Sequence, residues 1–314
     1  MLSIKFSWRE RRTRYALITI ACLIALVVAV TIVLGPIPRW RHITVASADR
    51  LLALYDTIDY RLQPIREDGS QVPLIDVLRM PEDWPDITSL VKRKSGFFRT
   101  LLPLVLLANH HIANDRTRVL SLKEVLDAGD QLARSDREWL RDLAARYGIN
   151  SDEAADPANT IDVLLPRVDA IPASLALAQA ALESGWGRSR FALEGNALFG
   201  QWTWDGNGIK PMNAAEDSMH HIARFDNLLD SVEAYMLNLN SQGSYSDFRR
   251  IRAAQRAQGH HPDGLTLAST LVHYSQEGTE YPAKLDTIIR ANKLSPFDQA
   301  ILDIESAGLV IAAP

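Results

Sequence analysis

The stretch Leu175–Trp204, LALAQAALESGWGRSRFALEGNALFGQWTW, constrains the fold more than any other part of the chain. Pro172, just ahead of it, suits the first turn of a helix, where its missing N–H costs nothing. Residues at helical spacing then follow, namely Leu175, Ala178, Gln179 and Leu182. Gly185 can adopt the left-handed conformation that closes a helix. The pattern therefore predicts a short helix that ends with Glu183 in its last turn.

The position of Glu183 predicts a carboxyl group that is reluctant to ionise. A carboxylate in the last helical turn lies at the negative end of the helix dipole, which disfavours its charge. Its neighbours along the chain are Ala and Leu residues, and apolar surroundings also favour the protonated form. An acid that keeps its proton near neutral pH is suited to donate it to a departing group. Glu183 is thus the candidate general acid.

The residues after this helix predict a small β-hairpin. Trp202 and Trp204 alternate with polar residues, so they would lie on one face of a strand. Asp205–Gly208 is a strong turn signal, and His220–Phe225 would be the returning strand. We expect this hairpin to interrupt an otherwise helical domain.

The amino end carries the pattern of a membrane anchor. Tyr15–Leu34 is uncharged and mostly apolar, and ~20 residues are enough to cross a bilayer as a helix. Basic residues precede it and place residues 1–14 in the cytoplasm; they are Lys5, Arg9, Arg11, Arg12 and Arg14. We expect an uncleaved single-pass anchor in the inner membrane, with the rest of the chain in the periplasm. A cleaved signal peptide and a buried soluble helix are the alternatives.

Charge and cysteine content exclude several function classes. The formal net charge of −4 argues against a nucleic-acid-binding protein. The single cysteine, Cys22, lies inside the apolar run, so the exported part can form neither a disulfide nor a zinc–thiolate site. His110–His111 and His260–His261 have no companions at metal-ligand spacing, and there is no phosphate-binding glycine loop. We expect no metal and no cofactor.

The region between the anchor and the Glu183 helix, residues 35–150, is predicted to be helical. Within Ser89–Arg118 one stretch is apolar nearly all round, which predicts a buried helix, with a membrane-surface helix as the alternative. Pro103 should kink or restart it. Ser121 and Glu124 stand at capping-box spacing, which predicts the start of another helix.

Domain boundaries follow from changes in composition. Another helix is predicted at Asp136–Tyr147, and the Asp-, Ala- and Ser-rich stretch Asn150–Asn159 then favours a loop or boundary. We therefore expect a catalytic domain over residues 151–296. Residues 297–314 are expected to form a loosely attached tail.

The run ALAQAALESGWGRSRFALEGNALFGQW resembles the signature of glycoside hydrolase family 73, the bacterial peptidoglycan-cleaving glucosaminidases, and is closest to its Bax-type members. In that family the Glu of the A-x-E-S-G-W-G motif is the catalytic acid, and Glu183 stands at that position. The similarity extends from about Asp162 to Asn292. It implies a mainly α, lysozyme-like domain with a β-hairpin lobe that cleaves the β-1,4 bond of peptidoglycan after N-acetylglucosamine. The run KRKSGFFRTLLPLVLLAN also resembles the region that Bax-type proteins carry ahead of their catalytic domain.

The resemblance also implies further catalytic residues. Family members carry a second acid on the β-lobe, for which Glu216 is our choice; a solvated loop acid there, or the substrate's own 2-acetamido group as nucleophile, are alternatives. Tyr281 matches the Tyr of the family's Y-x-x-K-I motif, which is expected to orient substrate or intermediate, and a buried structural Tyr is the alternative. Ser275–Gly278 replaces the family's Ala-Thr-Asp, which leaves the roles of Tyr274 and Glu277 open.

Flat aromatic side chains suit the apolar faces of sugar rings. The predicted substrate-binding residues are Trp186, Asn196, Phe199, Trp202, Trp204 and Tyr274. We expect Trp186 to be mainly structural, behind the Glu183 turn, whereas Trp202 and Trp204 are as well suited to substrate contact as to a core.

Two other functions stay open. A lytic transglycosylase also works with a single Glu but forms an anhydro sugar instead of adding water. A non-catalytic glycan-binding envelope protein would keep the fold without the chemistry.

Overall fold

A computed structural model describes residues 41–150, 152, 154–203, 208–210, 221–306 and 308–313. Over these residues the chain is mainly helical, as the hydrophobic periodicity predicts. In the described ranges, no helix combines the length and the apolar character needed to cross a membrane. The predicted cytoplasmic segment, residues 1–14, and the predicted anchor, residues 15–34, lie outside the described residues.

The helices follow one another along most of the described chain. The α-helices are α1 (Ala48–Thr57), α2 (Leu62–Glu67), α3 (Leu90–Asp127), α4 (Arg134–Arg146), α5 (Pro157–Leu164), α6 (Ala173–Glu183), α7 (Arg190–Gly195), α8 (Leu228–Ser241), α9 (Ser246–Ala257), α10 (Gly264–Ala268) and α11 (Glu280–Ala291). Short 3₁₀ turns occur at Trp84–Asp86, Gly243–Tyr245 and Ser295–Gln299.

Helix α3 is 38 residues long and continuous. Pro103 therefore does not restart the helix, and the prediction of a new helix at Ser121 is wrong; a kink at Pro103 stays a prediction. Residues 96–108 are buried on every side, so core packing outweighs the hydrogen bond that Pro103 cannot make. Ser121 and Glu124 lie on the exposed surface of the helix, where two polar residues three apart are ordinary neighbours and no cap.

Parallel strands join the two ends of the described chain. The strands are β1 (Arg41–Thr44), β2 (Val72–Pro73), β3 (Ile75–Val77), β7 (Leu302–Asp303) and β8 (Leu309–Ala312). Strand β8 lies between β1 and β3, and β2 pairs with β7. The expectation of a loosely attached tail over residues 297–314 is wrong, because Leu309–Ala312 form the middle strand of one sheet and Leu302–Asp303 pair in another.

The β-lobe has three antiparallel strands. These are β4 (Trp202–Thr203), β5 (Gly208–Ile209) and β6 (His221–Ala223), with β6 in the middle. Trp202 stands opposite Ile222, so the predicted outgoing and returning strands do pair. Gly208, predicted as the end of a turn, instead begins the third strand and pairs with Ala223.

One hydrophobic core joins the amino-terminal region to the predicted catalytic domain. It extends from Val45 to Ile311 along the chain. Helix α3 is central to it and packs against α6, α8 and β3. A second, smaller core around Leu143 lies where the carboxyl half of α3 meets α4 and α5. The division into residues 35–150 and 151–296 stays a prediction, and the two parts share the larger core.

Candidate active site

Helix α6 ends as the sequence predicts, with Glu183 as its last residue. The chain then takes three left-handed residues in a row: Gly185 at φ +58°, Trp186 at φ +64° and Gly187 at φ +78°. The N–H of Trp186 donates to the carbonyl of Ala181 over 2.9 Å, which is the six-to-one bond of a Schellman helix end. This sharp ending places the partly buried Glu183 side chain at the carboxyl end of the helix.

A chain of buried hydrogen bonds leads to the Glu183 carboxyl group. The hydroxyl of Tyr281 donates to Oε1 of Glu183 over 2.8 Å. The same hydroxyl accepts a bond from Nε2 of Gln179 at 2.9 Å. Oε1 of Gln179 in turn accepts from the hydroxyl of Tyr235 at 2.7 Å. Three helices, α6, α8 and α11, thus meet at one carboxyl group.

This chain of hydrogen bonds determines which group receives the proton of the Tyr281 hydroxyl. Because its oxygen already accepts from Gln179, its single proton is free to be donated to Glu183. A donor aimed at a carboxyl oxygen stabilises the ionised form, which is the form that Glu183 reaches after giving up a proton. Tyr281 is only 1% exposed, as expected for a buried structural Tyr, and its hydroxyl also contacts Glu183.

Sequence reasoning did not identify Gln179 and Tyr235 as site residues. Gln179 is fully buried on a helix whose other buried residues are nearly all apolar. It lies one turn before Glu183, so the two side chains share a helix face. A polar residue four positions ahead of a catalytic acid on an apolar helix was the available signal. Tyr235 carried none, since its spacing matches a core face.

Burial raises the pKa of the Glu183 carboxyl above its ordinary value of 4.5. The hydrogen bond from Tyr281 opposes this rise, and the negative charge of Glu277 adds to it. Burial is the largest of the three effects, so the group holds its proton more strongly than a solvated Glu.

The NALFG turn passes beside the other oxygen of Glu183. Gly200 has φ +63°, and a methyl group built on it would lie 4.0 Å from Oε2 of Glu183. The carbonyl of Phe199, one residue earlier, accepts a hydrogen bond from the hydroxyl of Tyr274 at 3.2 Å. The Tyr274 ring stacks on that of Tyr281, with centroids 5.3 Å apart and planes at 11°. The turn and the hydrogen-bond chain therefore support one another.

Two predicted substrate-binding residues, Asn196 and Phe199, are buried and packed within the fold. Phe199 is 2% exposed and stacks on Tyr235 with centroids 3.9 Å apart, so it has no surface to offer a sugar. Asn196 is buried in a left-handed conformation, and its amide nitrogen donates to the carbonyls of Phe225 and Asp226 at 3.0 and 3.2 Å. These bonds tie the end of α7 to the chain that leaves the β-lobe. The Oδ1 of Asn196 has no partner among the described residues, and a contact of Asn196 or Phe199 with substrate stays a prediction.

Trp186 packs behind the Glu183 turn. Its ring makes edge contacts with Phe97 and Phe98 of α3, at centroid distances of 5.9 and 5.4 Å. Its carbonyl accepts a hydrogen bond from the indole N–H of Trp84 at 2.9 Å. A contact between Trp186 and substrate stays a prediction.

Of the remaining predicted site residues, some lie within the described part of the chain and others lie outside it. Trp202 is 48% exposed on β4, and a large exposed aromatic ring suits a sugar. Trp204 and Glu216 lie outside the described residues. Within the described part, Glu277 is the acid whose charge acts on Glu183, and its carboxylate pairs with Lys284 at 2.5 Å. Among the same residues no cluster of three His, Cys, Asp or Glu side chains is arranged to hold a metal ion.

The chain is similar to known proteins by a family profile, by sequence and by a solved structure. The profile of a glucosaminidase family, described as mannosyl-glycoprotein endo-beta-N-acetylglucosaminidase, matches residues 164–294. Protein bax of Escherichia coli (strain K12) is 30% identical over 230 residues, which cover 73% of this chain and 77% of that protein. The solved catalytic domain of the autolysin Auto from Listeria monocytogenes is 17% identical and covers 57% of this chain and 96% of that domain, with a TM-score of 0.29.

Proposed function

The chain belongs to the glucosaminidase family, and from this premise we propose that it is a peptidoglycan hydrolase that cleaves the β-1,4 bond after N-acetylglucosamine. The observation that carries the proposal is the Glu183 carboxyl group, partly buried, raised in pKa and hydrogen-bonded to Tyr281. Glycoside hydrolysis requires a carboxylic acid that is protonated near neutral pH and placed beside the scissile bond.

In the proposed reaction Glu183 protonates the oxygen of the leaving sugar. Within the described residues only Oε1 has a hydrogen-bond partner, which leaves Oε2 to carry the proton. As the proton departs, the carboxylate that forms accepts the hydrogen bond from Tyr281 more strongly than the neutral acid did. Tyr281 therefore stabilises the product of proton transfer. Gln179 supports it by keeping the Tyr281 hydroxyl in that orientation.

The second catalytic group is proposed to be Glu216 on the β-lobe. A separation of 6.5–9.5 Å between the carboxyl groups of Glu216 and Glu183 would give inversion, and one of about 5 Å would give retention. The substrate's 2-acetamido group would take the nucleophile's role if Glu216 lies farther away. Trp202, exposed on the same lobe, is proposed to hold a sugar ring, and Trp204 and Tyr274 are proposed to help.

Mass spectrometry of digested sacculi tests the reaction. We expect fragments that end in reducing N-acetylglucosamine, since water completes the cleavage. An anhydro-muramyl end would show a lytic transglycosylase instead. Glu183→Gln should abolish turnover while strand binding is kept, because the amide cannot donate a proton to the leaving oxygen. Full turnover by this variant would remove Glu183 from the role of general acid. Binding without turnover by the unaltered protein would favour a non-catalytic glycan-binding protein.

We also propose that residues 15–34 anchor the protein in the inner membrane as a single pass, with the catalytic domain in the periplasm. The support is the uncharged run with basic residues on its amino side. Protease added to spheroplasts should degrade the catalytic domain and spare an epitope tag placed before residue 15. A catalytic domain that resists protease until the cells are lysed would refute this topology.

A further inference from the structure

A basic groove of about 740 Å³ lies beside the first turns of α3, outside the residues assigned to the active site. It is bounded by α1, α2 and α3 and by Asn292 after α11. Its lining includes four cationic side chains and one acid: Arg61, Arg66, Lys94, Arg99 and Asp56. Arg61 and Arg99 are each paired with an acid, Asp59 at 2.7 Å and Asp56 at 2.6 Å, so the surplus of positive charge in the groove rests on Arg66 and Lys94.

Two guanidinium groups in this groove keep N–H donors without acceptors. Arg99 is 8% exposed; its Nη1 bonds to Asp56 at 2.6 Å and to the carbonyl of Tyr60 at 3.5 Å. Its Nε is buried and finds no partner within the described residues. Arg66 likewise has a buried Nε without a partner there, and one bond from Nη2 to the carbonyl of Asn292. Both Nε atoms are closed to solvent, so an anionic ligand would meet the remaining N–H groups of these two side chains, which line the groove.

The groove is adjacent to the turn that follows Glu183. Phe98 lines the groove and packs edge-on against Trp186 with centroids 5.4 Å apart. The Lys94 ammonium also lines it and lies 4.6 Å from the centre of the same ring. Trp186 is three residues beyond Glu183, so one tryptophan ring separates the groove from the Glu183 turn.

We propose that this groove binds the carboxylates of the stem peptides that branch from a peptidoglycan strand while the strand lies at Glu183. The inference rests on the proposed function. Carboxylates are the natural partners of guanidinium groups with free N–H donors. A stem of three or four extended residues spans about 10–14 Å, enough to pass a tryptophan ring. The groove's volume also falls in the range typical of small-ligand sites.

A binding measurement tests the groove without any need for turnover. A soluble stem tetrapeptide is titrated into the full chain in detergent, with its fully amidated form as the control ligand. We expect the free acid to bind, the amidated form not to bind, and added salt to weaken the complex. Lys94→Gln should weaken it about fivefold. Lys92→Gln, an exposed change on the same helix outside the groove, should leave it unchanged.

The same variants separate this inference from the proposed function. On strands that carry stems, Lys94→Gln should raise KM with little change in kcat; on strands stripped of stems by an amidase it should change neither. Cleavage with equal KM for both variants and both kinds of strand would refute stem-peptide binding in the groove, while the hydrolase proposal would remain. Peptide binding without cleavage would support the groove and refute the hydrolase proposal. Binding of anionic phospholipid vesicles through Lys94, without peptide binding, would assign the groove to a lipid headgroup and overturn the inference.

Discussion

At the scale of residues, the chemistry depends on three influences on the proton of Glu183, which are burial and two neighbouring side chains. Burial favours the neutral form of Glu183, the Tyr281 hydroxyl favours the charged form, and Glu277 disfavours it from a distance. Because the influences of Tyr281 and Glu277 have opposite signs, substitutions of the two should move the pH profile in opposite directions.

Tyr281→Phe removes the hydrogen bond to the carboxylate, so the pKa of Glu183 should rise. The alkaline limb of kcat/KM should then move to higher pH, since activity requires the protonated acid. The value of kcat should fall about 10- to 100-fold, because the bond stabilises the charge that develops on Glu183. Glu277→Gln should move the same limb to lower pH. Tyr274→Phe is the matched control, and a limb displaced by it as far as by Tyr281→Phe would contradict the assignment.

Glu183→Gln should stabilise the fold at neutral pH. A carboxyl whose pKa is raised by folding favours the folded state while it is protonated and opposes it as the pH rises through the raised pKa. The variant has no such penalty and its carbonyl can still accept from Tyr281. Its melting temperature should therefore exceed that of the unaltered protein above pH 7, and the difference should vanish below the ordinary carboxyl pKa of 4.5. A constant difference across this range would show that the charge of Glu183 is not the cause.

At the scale of elements, the active site depends on how α6 stops. The Glu and Gly pattern predicted this ending from the sequence, because a left-handed glycine after an apolar helix is a local signal. The length of α3 was not predictable in the same way. Pro103 and the Ser121 pair are local stop and start signals. Packing against α6 and α8 overrules the first, and packing of the carboxyl half of α3 against α4 and α5 overrules the second. The same limit applies to Gln179, whose partners Tyr235 and Tyr281 lie on other helices.

Gly187→Ala tests the turn after α6. Gly187 has φ +78°, and an added methyl group would lie 3.2 Å from Nε1 of Trp84 and 3.3 Å from Phe97. Backbone strain and overpacking together should cost about 1–3 kcal/mol in urea unfolding, and activity should fall as the turn shifts. Gly243→Ala is the control, since that position has no atoms within 4 Å and no left-handed φ. Equal effects of the two changes would mean that the turn is not constrained.

At the scale of the whole molecule, the described chain closes on itself. Strand β8 near the carboxyl end lies between β1 and β3, and the core includes residues from the first described strands to the last. The sequence did not reveal this closure. Leu309–Ala312 is a short apolar run, and no turn connects it to a neighbouring strand that would identify its partner. The three strands β1, β3 and β8 are parallel and come from distant parts of the chain, and such pairing leaves no local pattern.

Ile311→Ala should measure how much this closure contributes. Ile311 is 0% exposed, and truncation of a buried Ile typically costs about 2–5 kcal/mol. Val310→Ala in the same strand is the control, since Val310 is only partly buried and its loss should cost much less. Urea unfolding monitored by circular dichroism gives both values. A small cost at Ile311 would mean that the strand is dispensable.

The most direct test of the whole account is the titration of the Glu183 carboxyl group itself. Carbon-detected NMR of glutamate-labelled protein, with Glu183→Gln to assign the resonance, reports its midpoint. We expect a midpoint above the ordinary value of 4.5 that coincides with the alkaline limb of kcat/KM. A midpoint at or below 4.5 would contradict the account, because Glu183 would then have no proton to donate at neutral pH.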